Sequence, residues 1–360
     1  MKEFSCKTRI VYGHNAMSAL KELKARKLLV VTDPYFAENG TAQKVAQISG
    51  AEEFKIFRDV TPDPTVSLAA SGTALVNEFQ PDVVVALGGG STMDCAKAMV
   101  YFSGKDVRFV SIPTTSGSGS EVTDFAILTH EGIKHPLVDP KIAPEMAILE
   151  ESVLQDMPKS LVADAGFDVI AHAVEAYVGT KASPVSDALA KEAFCTVFGA
   201  LPASFAGKKE YRLRVHMAAT MAGMAFTQAG LGMCHAISHV LGGMYHIPHG
   251  RLNAILLPAV IGCNAYAAGE KYAALARWAG LGGSADTIAV RNLKNALMRL
   301  RKELQLPDTL AQAGIASARL QQDMGNIVQA VLQDSCCQTN PIGVEGFMVQ
   351  KVLEEVMGHV

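Results

Sequence analysis

The character of the sequence changes at about residue 155, and this change constrains the fold more than any other feature. Before it, apolar runs rich in β-branched residues occur at 28–32, 83–87 and 107–112, and they alternate with segments of helical composition. Such runs are typical of strands that are buried on both faces of a parallel sheet covered by helices. Residues 10–12 could add an edge strand. We therefore predict an α/β fold that begins with a Rossmann-like, parallel-sheet domain.

Long segments rich in Ala, Leu, Met, Glu and Lys follow, and we predict helices and no strand there. These segments are 161–178, 186–201, 211–228, 235–244, 252–264, 270–278, 283–304 and 317–334. The sequence thus predicts an all-helical C-terminal domain. The two domains are expected at residues 1–154 and 155–360, with the active site in the cleft between them. A chain of 360 residues is long enough for two domains.

Four residues in the helical part have the pattern of a metal site. Asp168 and His172 are four apart, so on a helix they share one face. His235 and His249 lie in helix-like segments or at their ends. A single histidine on an apolar face is usually a core residue, but several unpaired imidazoles in apolar surroundings would be costly. We therefore predict that the four hold a divalent cation, and these ligands suit Fe(II), Zn(II), Co(II) or Ni(II).

A glycine-rich turn in the first domain predicts a phosphate site. The sequence GGGSTMD, residues 88–94, follows a predicted strand and opens a helix. Glycine lets the backbone approach a ligand, and free N–H groups at a helix N-terminus face an anion. Ser91 is a candidate N-cap, or its hydroxyl could reach a phosphate. An ordinary strand-to-helix turn is the alternative, and the dinucleotide fingerprint Gly-x-Gly-x-x-Gly is absent.

Two further segments could contact a nucleotide. Asp33 ends a predicted strand, where a carboxylate can accept hydrogen bonds from both ribose hydroxyls and would repel the extra phosphate of NADP. The alternative for Asp33 is a solvated turn before Pro34. Residues 113–119 place hydroxyls and flexible backbone after the next strand, which makes them a second candidate contact for phosphate or nicotinamide.

Composition excludes several other classes of protein. The formal net charge of −3 gives no electrostatic case for nucleic-acid binding. We find no run of 18 apolar residues that would predict a membrane helix, and the N-terminus lacks the apolar region of a secretory signal. Seven scattered cysteines without a Cys-x-x-Cys motif suit a reducing cytosol. We therefore expect a cytoplasmic protein.

Together these motifs resemble the iron-containing alcohol dehydrogenase family over nearly the whole chain. In detail they look most like the 1-propanol and ethanol dehydrogenases of propanediol and ethanolamine utilisation. The motifs that carry the resemblance are DPT from residue 63, GGGSTMDCAK from 88, IPTTSGSGSEVT from 112, GFDVIAHAVEAY from 166, AGLGMCHAISHVLGG from 229 and IPHG from 247.

The resemblance implies roles for individual residues. The metal ligands would be Asp168, His172, His235 and His249, with Fe(II) expected and Zn(II) as the alternative. His239 would lie beside the substrate, where it could relay a proton, or it could serve only to support the helix. His246 is a weaker candidate for the relay. The resemblance implies NAD(H) contacts by Asp33, Gly89, Gly90, Ser91, Asp94, Thr114, Thr115, Ser118 and Lys134.

The expected reaction interconverts small primary alcohols and aldehydes, of the ethanol or 1-propanol type, by hydride transfer with NAD(H). The candidate pocket residues offer no charged partner for a phosphorylated or acidic substrate: they are Phe125, Phe226, Met233 and Cys234. Glycerol or polyol dehydrogenase and lactaldehyde reductase are alternatives on the same scaffold. A metal-binding protein without catalysis is the alternative from another class. We expect a homodimer, either free in the cytoplasm or in the lumen of a bacterial microcompartment.

Overall fold

A six-stranded parallel sheet is the centre of the first of two units in the computed structural model, which describes residues 4–131 and 133–358. This unit spans Ser5–Met157, and the second begins at Pro158. The strand order is β1-β8-β5-β4-β2-β3, and β6 and β7 form a separate antiparallel pair. The strands are β1 (Arg9–Gly13), β2 (Lys27–Thr32), β3 (Glu53–Phe57), β4 (Val83–Gly88), β5 (Arg108–Pro113), β6 (Phe125–His130), β7 (Ile133–Val138) and β8 (Met146–Glu150).

Helices cover both faces of this sheet, as the continuous apolar runs predict. Leu28 and Val30 of β2 belong to one buried apolar cluster, whereas Leu29 and Val31 belong to another. Because side chains alternate across a strand, the two clusters lie on opposite faces of the sheet. The helices of this unit are α1 (Pro34–Glu38), α2 (Thr41–Ser49), α3 (Val66–Phe79) and α4 (Gly90–Ser103).

The predicted strands β2, β4 and β5 and the predicted edge strand β1 are confirmed. The sequence analysis missed β3, β6, β7 and β8. In β3 the first three residues are exposed, because β3 is the other edge of the sheet and has no need of a continuous apolar run. In β6 half-buried and buried residues alternate, so this strand also is not buried along its whole length.

The second unit is helical, and every helix that the sequence predicts there is present. No strand occurs in the part of this unit that the structure describes. The predicted segments 252–264 and 270–278 form one helix with a break at Ala268, where φ is −122° and ψ is 18°. The last helix, α12, was not predicted. The helices are α5 (Lys159–Val178), α6 (Pro184–Phe205), α7 (Arg212–Ala229), α8 (Met233–Tyr245), α9 (His249–Trp278), α10 (Asp286–Glu303), α11 (Ser317–Gln333) and α12 (Gly346–Val356).

The long helix α9 is the one described helix whose length and composition would allow it to cross a membrane. However, 67% of its most apolar window is buried inside the protein. This burial is what a core helix of a large helical unit requires.

Because the imidazole of His216 on α7 is buried, we expect the stability of the folded protein to depend on pH. His216 is only 1% exposed, and burial lowers its pKa to about 4. In the unfolded chain the pKa is about 6.5, so between these values the unfolded state binds more protons and stability falls as the pH falls. We expect His216→Met to reduce this loss by up to about 1.4 kcal/mol per pH unit. Urea unfolding of both proteins at several pH values between 7 and 4 measures the difference. Parallel pH profiles for the two proteins would contradict the assignment to His216.

Candidate metal and nucleotide sites

Three helices of the second unit bring the four predicted metal ligands together. Asp168 and His172 lie one turn apart on α5, His235 lies in the first turn of α8, and His249 is the first residue of α9. The Oδ1 atom of Asp168 lies 3.5 Å from Nε2 of His249, 3.8 Å from Nε2 of His235 and 3.9 Å from Nε2 of His172. One carboxylate oxygen therefore faces three imidazole nitrogens, although the assignment of these atoms as ligands stays a prediction.

The protonation states of this cluster fit a divalent cation. Burial lowers the pKa of His172 to about 4 and holds the pKa of His249 well below its usual value, so both imidazoles are neutral at pH 7. Burial would raise the pKa of Asp168, but its interactions with the surrounding histidines outweigh burial and lower it. The ionised carboxylate of Asp168 and the neutral imidazoles of His172 and His249 are donors that Fe(II) and Zn(II) accept.

His235 differs from the other two imidazoles because it lies between two carboxylates. Burial lowers its pKa, but the nearby carboxylates of Asp168 and Glu175, the second of them hydrogen-bonded to the ring, raise the pKa to about 9. The Nδ1 atom of His235 lies 2.5 Å from Oε2 of Glu175, so a proton on Nδ1 leaves Nε2 to face the cluster. At a pKa of about 9 the ring carries a proton on both nitrogens at pH 7. A cation that binds Nε2 must therefore displace the proton from that nitrogen.

Glu175, which sequence reasoning missed, both orients His235 and caps the helix that carries it. The helix α8 follows Gly232, which has no side chain to accept hydrogen bonds from the first N–H groups. Glu175 accepts them instead: the backbone N–H groups of Gly232, Cys234 and His235 donate to its carboxylate over 2.7–3.3 Å. Glu175 lies three residues after His172 on α5, so its position on the same helix face was a usable signal.

Aromatic stacking holds the ring of His172. Its centroid lies 4.5 Å from that of Phe226 and 4.6 Å from that of His235, with interplanar angles of 28° and 17°. Phe226, predicted as a pocket residue, thus lies against a predicted ligand. Met233 and Cys234 are fully buried at the start of α8. Their role in a substrate pocket stays a prediction, as does that of Phe125 on β6 of the first unit.

His239 lies one turn after His235 and is fixed by Asp334, a residue that the sequence analysis did not single out. Nδ1 of His239 lies 2.9 Å from Oδ2 of Asp334, and the His239 ring stacks on His249 with centroids 5.2 Å apart. Burial raises the pKa of Asp334, but the hydrogen bond and charge of His239 outweigh it and lower the pKa to about 2. His246 is exposed and ends α8 in the left-handed conformation, with φ at 56°.

In the first unit, three adjacent parallel strands carry the predicted nucleotide-binding segments at their carboxyl ends. Asp33 follows β2, Gly89 follows β4 and Thr114 follows β5. The strand β2 pairs with β3 on one side and β4 on the other, so the strand order reverses there. Ligands of open α/β sheets bind at such a reversal, outside the carboxyl ends of the strands.

The glycine turn packs closely against the segment after β5, and this contact explains two of its glycines. A Cβ atom on Gly89 would lie 3.1 Å from Oγ1 of Thr115, and one on Gly90 would lie 3.1 Å from the side chain of Ser118. The backbone N–H of Thr114 also donates to the carbonyl oxygen of Gly88 at 3.0 Å. The structure thus brings the two predicted phosphate-contacting segments together.

The structure corrects one prediction about this turn and adds a role for Asp33. The N-cap of α4 is Gly89, not Ser91, because the helix begins two residues earlier than a Ser91 cap would place it. Oδ1 of Asp33 accepts a hydrogen bond from the backbone N–H of Phe36 at 3.1 Å and so caps α1. This cap gives Asp33 a structural role that was not predicted, and the proposed ribose contact stays a prediction.

Two other predicted cofactor residues have partners within the protein. Asp94 accepts hydrogen bonds from the Ser120 hydroxyl at 2.9 Å and from the backbone N–H of Ile127 at 3.2 Å. Lys134 on β7 forms an ion pair with Asp63 at 2.8 Å. Their contacts with a dinucleotide stay predictions.

Sequence reasoning also missed the buried ammonium group of Lys97. It donates to the hydroxyl groups of Ser120 and Thr123 and to the carbonyl oxygen of Phe125, over 2.8–3.0 Å. Burial lowers the pKa of Lys97 to about 8. Lys97 thereby fixes the segment that links the turn after β5 to β6, and nothing in the local sequence distinguishes it from a surface lysine.

Comparison with known proteins identifies the family. Residues 7–151 match the family model for iron-containing alcohol dehydrogenase, and residues 162–357 match the model for the C-terminal part of the Fe-containing alcohol dehydrogenase family. The chain therefore belongs to the iron-containing alcohol dehydrogenase family, as its motifs predict, and it is an oxidoreductase.

Individual relatives match over the full chain. The sequence is 40% identical to 1-propanol dehydrogenase PduQ of Citrobacter freundii, over 99% of this chain and 100% of the relative. It is 36% identical to an NADPH-dependent butanol dehydrogenase of Clostridium saccharobutylicum, over 98% and 97%. The structure is similar to that of an iron-containing alcohol dehydrogenase from Thermococcus thioreducens, with a TM-score of 0.92, 32% identity and coverage of 98% and 99%.

Proposed function

We propose that this chain is a metal-dependent, NAD(H)-linked alcohol dehydrogenase that interconverts small primary alcohols and aldehydes. The observation that carries the proposal is the arrangement of three imidazole Nε2 atoms within 3.5–3.9 Å of one carboxylate oxygen of Asp168. A divalent metal, expected to be iron, supplies Lewis-acid activation of an alcohol or carbonyl oxygen when it is bound there.

The proposed ligands are Asp168, His172, His235 and His249, and the surrounding side chains prepare them. Glu175 holds the proton of His235 on Nδ1, which directs Nε2 toward the cluster. The stacking of His172 on Phe226 and His235 restrains the plane of its ring. Such fixed donors lower the entropic cost of binding a cation.

We assign His239 the transfer of the proton that accompanies hydride transfer. Asp334 accepts the hydrogen bond from Nδ1–H of His239, which leaves Nε2 as the nitrogen that can take up or release a proton. The side chain of His239 is 23% exposed, so it can exchange that proton with solvent.

We propose that the first unit binds the cofactor NAD(H). Asp33, the glycine turn and the hydroxyl-rich segment follow the carboxyl ends of the adjacent strands β2, β4 and β5, so they lie at the same end of the sheet. The backbone of Gly89 and Gly90 at the start of α4 would receive the phosphates. The carboxylate of Asp33 would accept from the ribose hydroxyls of NAD(H).

Substrate size is inferred from the apolar candidate pocket and from the relatives. Phe226, in contact with His172, offers an apolar surface without a charged partner for an acid or phosphate. Two similar proteins are named for 1-propanol and butanol. We expect unbranched C2–C4 substrates, and one methylene to change specificity by about 1–3 kcal/mol. The placement of the active site in a cleft between the two domains stays a prediction.

A substrate panel tests the proposed function. Protein of known metal content is assayed by NADH absorbance at 340 nm with ethanal, propanal and butanal, and in the oxidative direction with 1-propanol and glycerol. We expect turnover of the aldehydes and of 1-propanol. A clear preference for glycerol would favour the polyol alternative. Absence of turnover in protein that binds both metal and NADH would favour the non-catalytic alternative.

The Asp33 carboxylate is expected to set the preference for NADH over NADPH. A carboxylate beside the 2′-phosphate of NADPH is repulsive, whereas it can accept from the hydroxyl of NADH. We expect Asp33→Gly to raise the ratio of kcat/KM for NADPH to that for NADH. A glycine cap of α1 is only a few tenths of a kcal/mol weaker than an aspartate cap, so the fold should tolerate the change.

Asp33→Asn is the matched control for the cap, because it keeps an oxygen that can cap α1 and removes only the charge. It should raise the same ratio. Equal kcat/KM for the two cofactors in the unmodified protein would rule out this role of Asp33.

We further propose a homodimer that resides in the cytoplasm or in a microcompartment. All seven cysteines are free, which suits a reducing environment. Analytical ultracentrifugation should give twice the chain mass of 38.2 kDa. A monomer at assay concentrations would contradict the dimer.

A further inference from the structure

One amide side chain touches three of the four proposed metal ligands. Asn253 lies on α9, one turn after His249, and is fully buried. Its Nδ2 atom lies 2.7 Å from Oδ1 of Asp168, 3.2 Å from Nε2 of His249 and 3.3 Å from Nε2 of His235. The amide nitrogen therefore faces the same carboxylate oxygen that the three imidazoles surround.

The orientation of this amide is set by donors on its other side. The hydroxyl of Ser238 donates to Oδ1 of Asn253 at 2.6 Å, and the thiol of Cys234 lies 3.5 Å from the same oxygen. With two donors at the oxygen, the nitrogen must point toward Asp168, since the reverse orientation would place carboxylate and amide oxygens against each other. Both supporting residues lie on α8, so Asn253 links α5, α8 and α9 at the cluster.

We propose that Asn253 is a positioning residue of the metal centre, an inference that rests on the proposed function. Its N–H group fixes the Asp168 carboxylate in the orientation that faces the imidazoles. A buried carboxylate needs hydrogen-bond donors to remain ionised. A lysine or arginine could supply them, but its positive charge would repel a cation. The neutral amide stabilises the carboxylate without that repulsion, which suits a site that must accept a divalent ion.

Cobalt(II) is a suitable probe, because its visible absorption reports the coordination of the ion without any assay of turnover. The metal-free forms of three proteins are titrated with Co²⁺: the unmodified parent protein, Asn253→Ala and Asn253→Leu. The leucine variant keeps the branched shape of the side chain, with a larger volume, and removes its hydrogen bonds. We expect both variants to bind Co²⁺ with affinity lower by roughly 10–100-fold, the usual effect of removing a group that orients a metal ligand.

Two further variants distinguish the loss of positioning by Asn253 from a general loss of protein stability. Ser238→Ala removes only the donor that orients Asn253 and should weaken Co²⁺ binding in the same direction by a smaller factor. Asn264→Ala is the matched control on the same helix: it is buried to the same degree, and its side chain exchanges hydrogen bonds with Asn340 at 2.9 and 3.1 Å. Asn264→Ala should keep the affinity of the parent.

The outcomes distinguish this inference from the proposed function. A parent that binds no Co²⁺ would contradict the metal centre itself. Suppose that the parent protein binds one Co²⁺ per chain. Unchanged affinity in Asn253→Leu or in Ser238→Ala would then contradict only the role of Asn253. An equal loss of affinity in Asn264→Ala would also overturn it, because the effect would then be a general loss of stability. If the Asn253 variants do not fold, Ser238→Ala still decides the question.

Discussion

Replacement of either His235 or His249 by alanine is expected to abolish turnover and stable metal binding together. Each imidazole supplies a nitrogen within 3.8 Å of the central oxygen of Asp168. Loss of one ligand of four removes a large part of the binding free energy and admits water to the site. Metal content by elemental analysis and turnover with NADH and propanal measure the two effects.

The first unit, where we propose that NAD(H) binds, should be unaffected by these two substitutions, so NADH should still bind, as fluorescence titration can show. His14→Ala removes an exposed imidazole of the first unit and serves as the control for a histidine-to-alanine change. Full metal content with normal turnover in either His235→Ala or His249→Ala would show that the proposed ligand set is wrong.

His239→Ala is expected to separate catalysis from metal binding. The metal should stay bound, because His239 pairs with Asp334 and is not one of the proposed ligands. Turnover should fall by roughly 10²–10⁴-fold, the usual contribution of a positioned proton donor or acceptor. The fall should appear in kcat more than in KM, since proton transfer contributes to the chemical step. Single-turnover kinetics on metal-analysed protein provides the measurement.

Asp334→Asn is the companion variant, because it leaves the His239 ring in place and removes the charge that fixes its Nδ1–H. Turnover should fall in this variant, as in His239→Ala, and the metal should stay bound. Loss of metal together with activity in His239→Ala would identify His239 as a ligand and would overturn its assignment to proton transfer.

Local patterns in the sequence were sufficient for the fold class and for the candidate ligands, although β3, β6, β7, β8 and α12 were not predicted from them. The β-branched runs predict β2, β4 and β5 because strands buried on both faces must be apolar throughout. The four-residue spacing of Asp168 and His172 places both on one face of α5 because helix geometry is periodic. The edge strand β3 escaped prediction, since its exposed residues lack that continuous pattern. The strand β8 was also missed, although it is buried along its whole length.

By itself, then, the sequence determined the family, the division into a sheet unit and a helical unit, and the candidate ligands. Only the tertiary structure decided which groups orient those ligands. Glu175 reaches His235 across 60 residues of chain, Asn253 reaches Asp168 across 85, and Asp334 reaches His239 across 95. A hydrogen bond between distant segments depends on how helices pack, and the local sequence does not show which partner a side chain will meet. The position of Glu175 on the helix face of His172 marked it as a candidate, but not as the partner of His235.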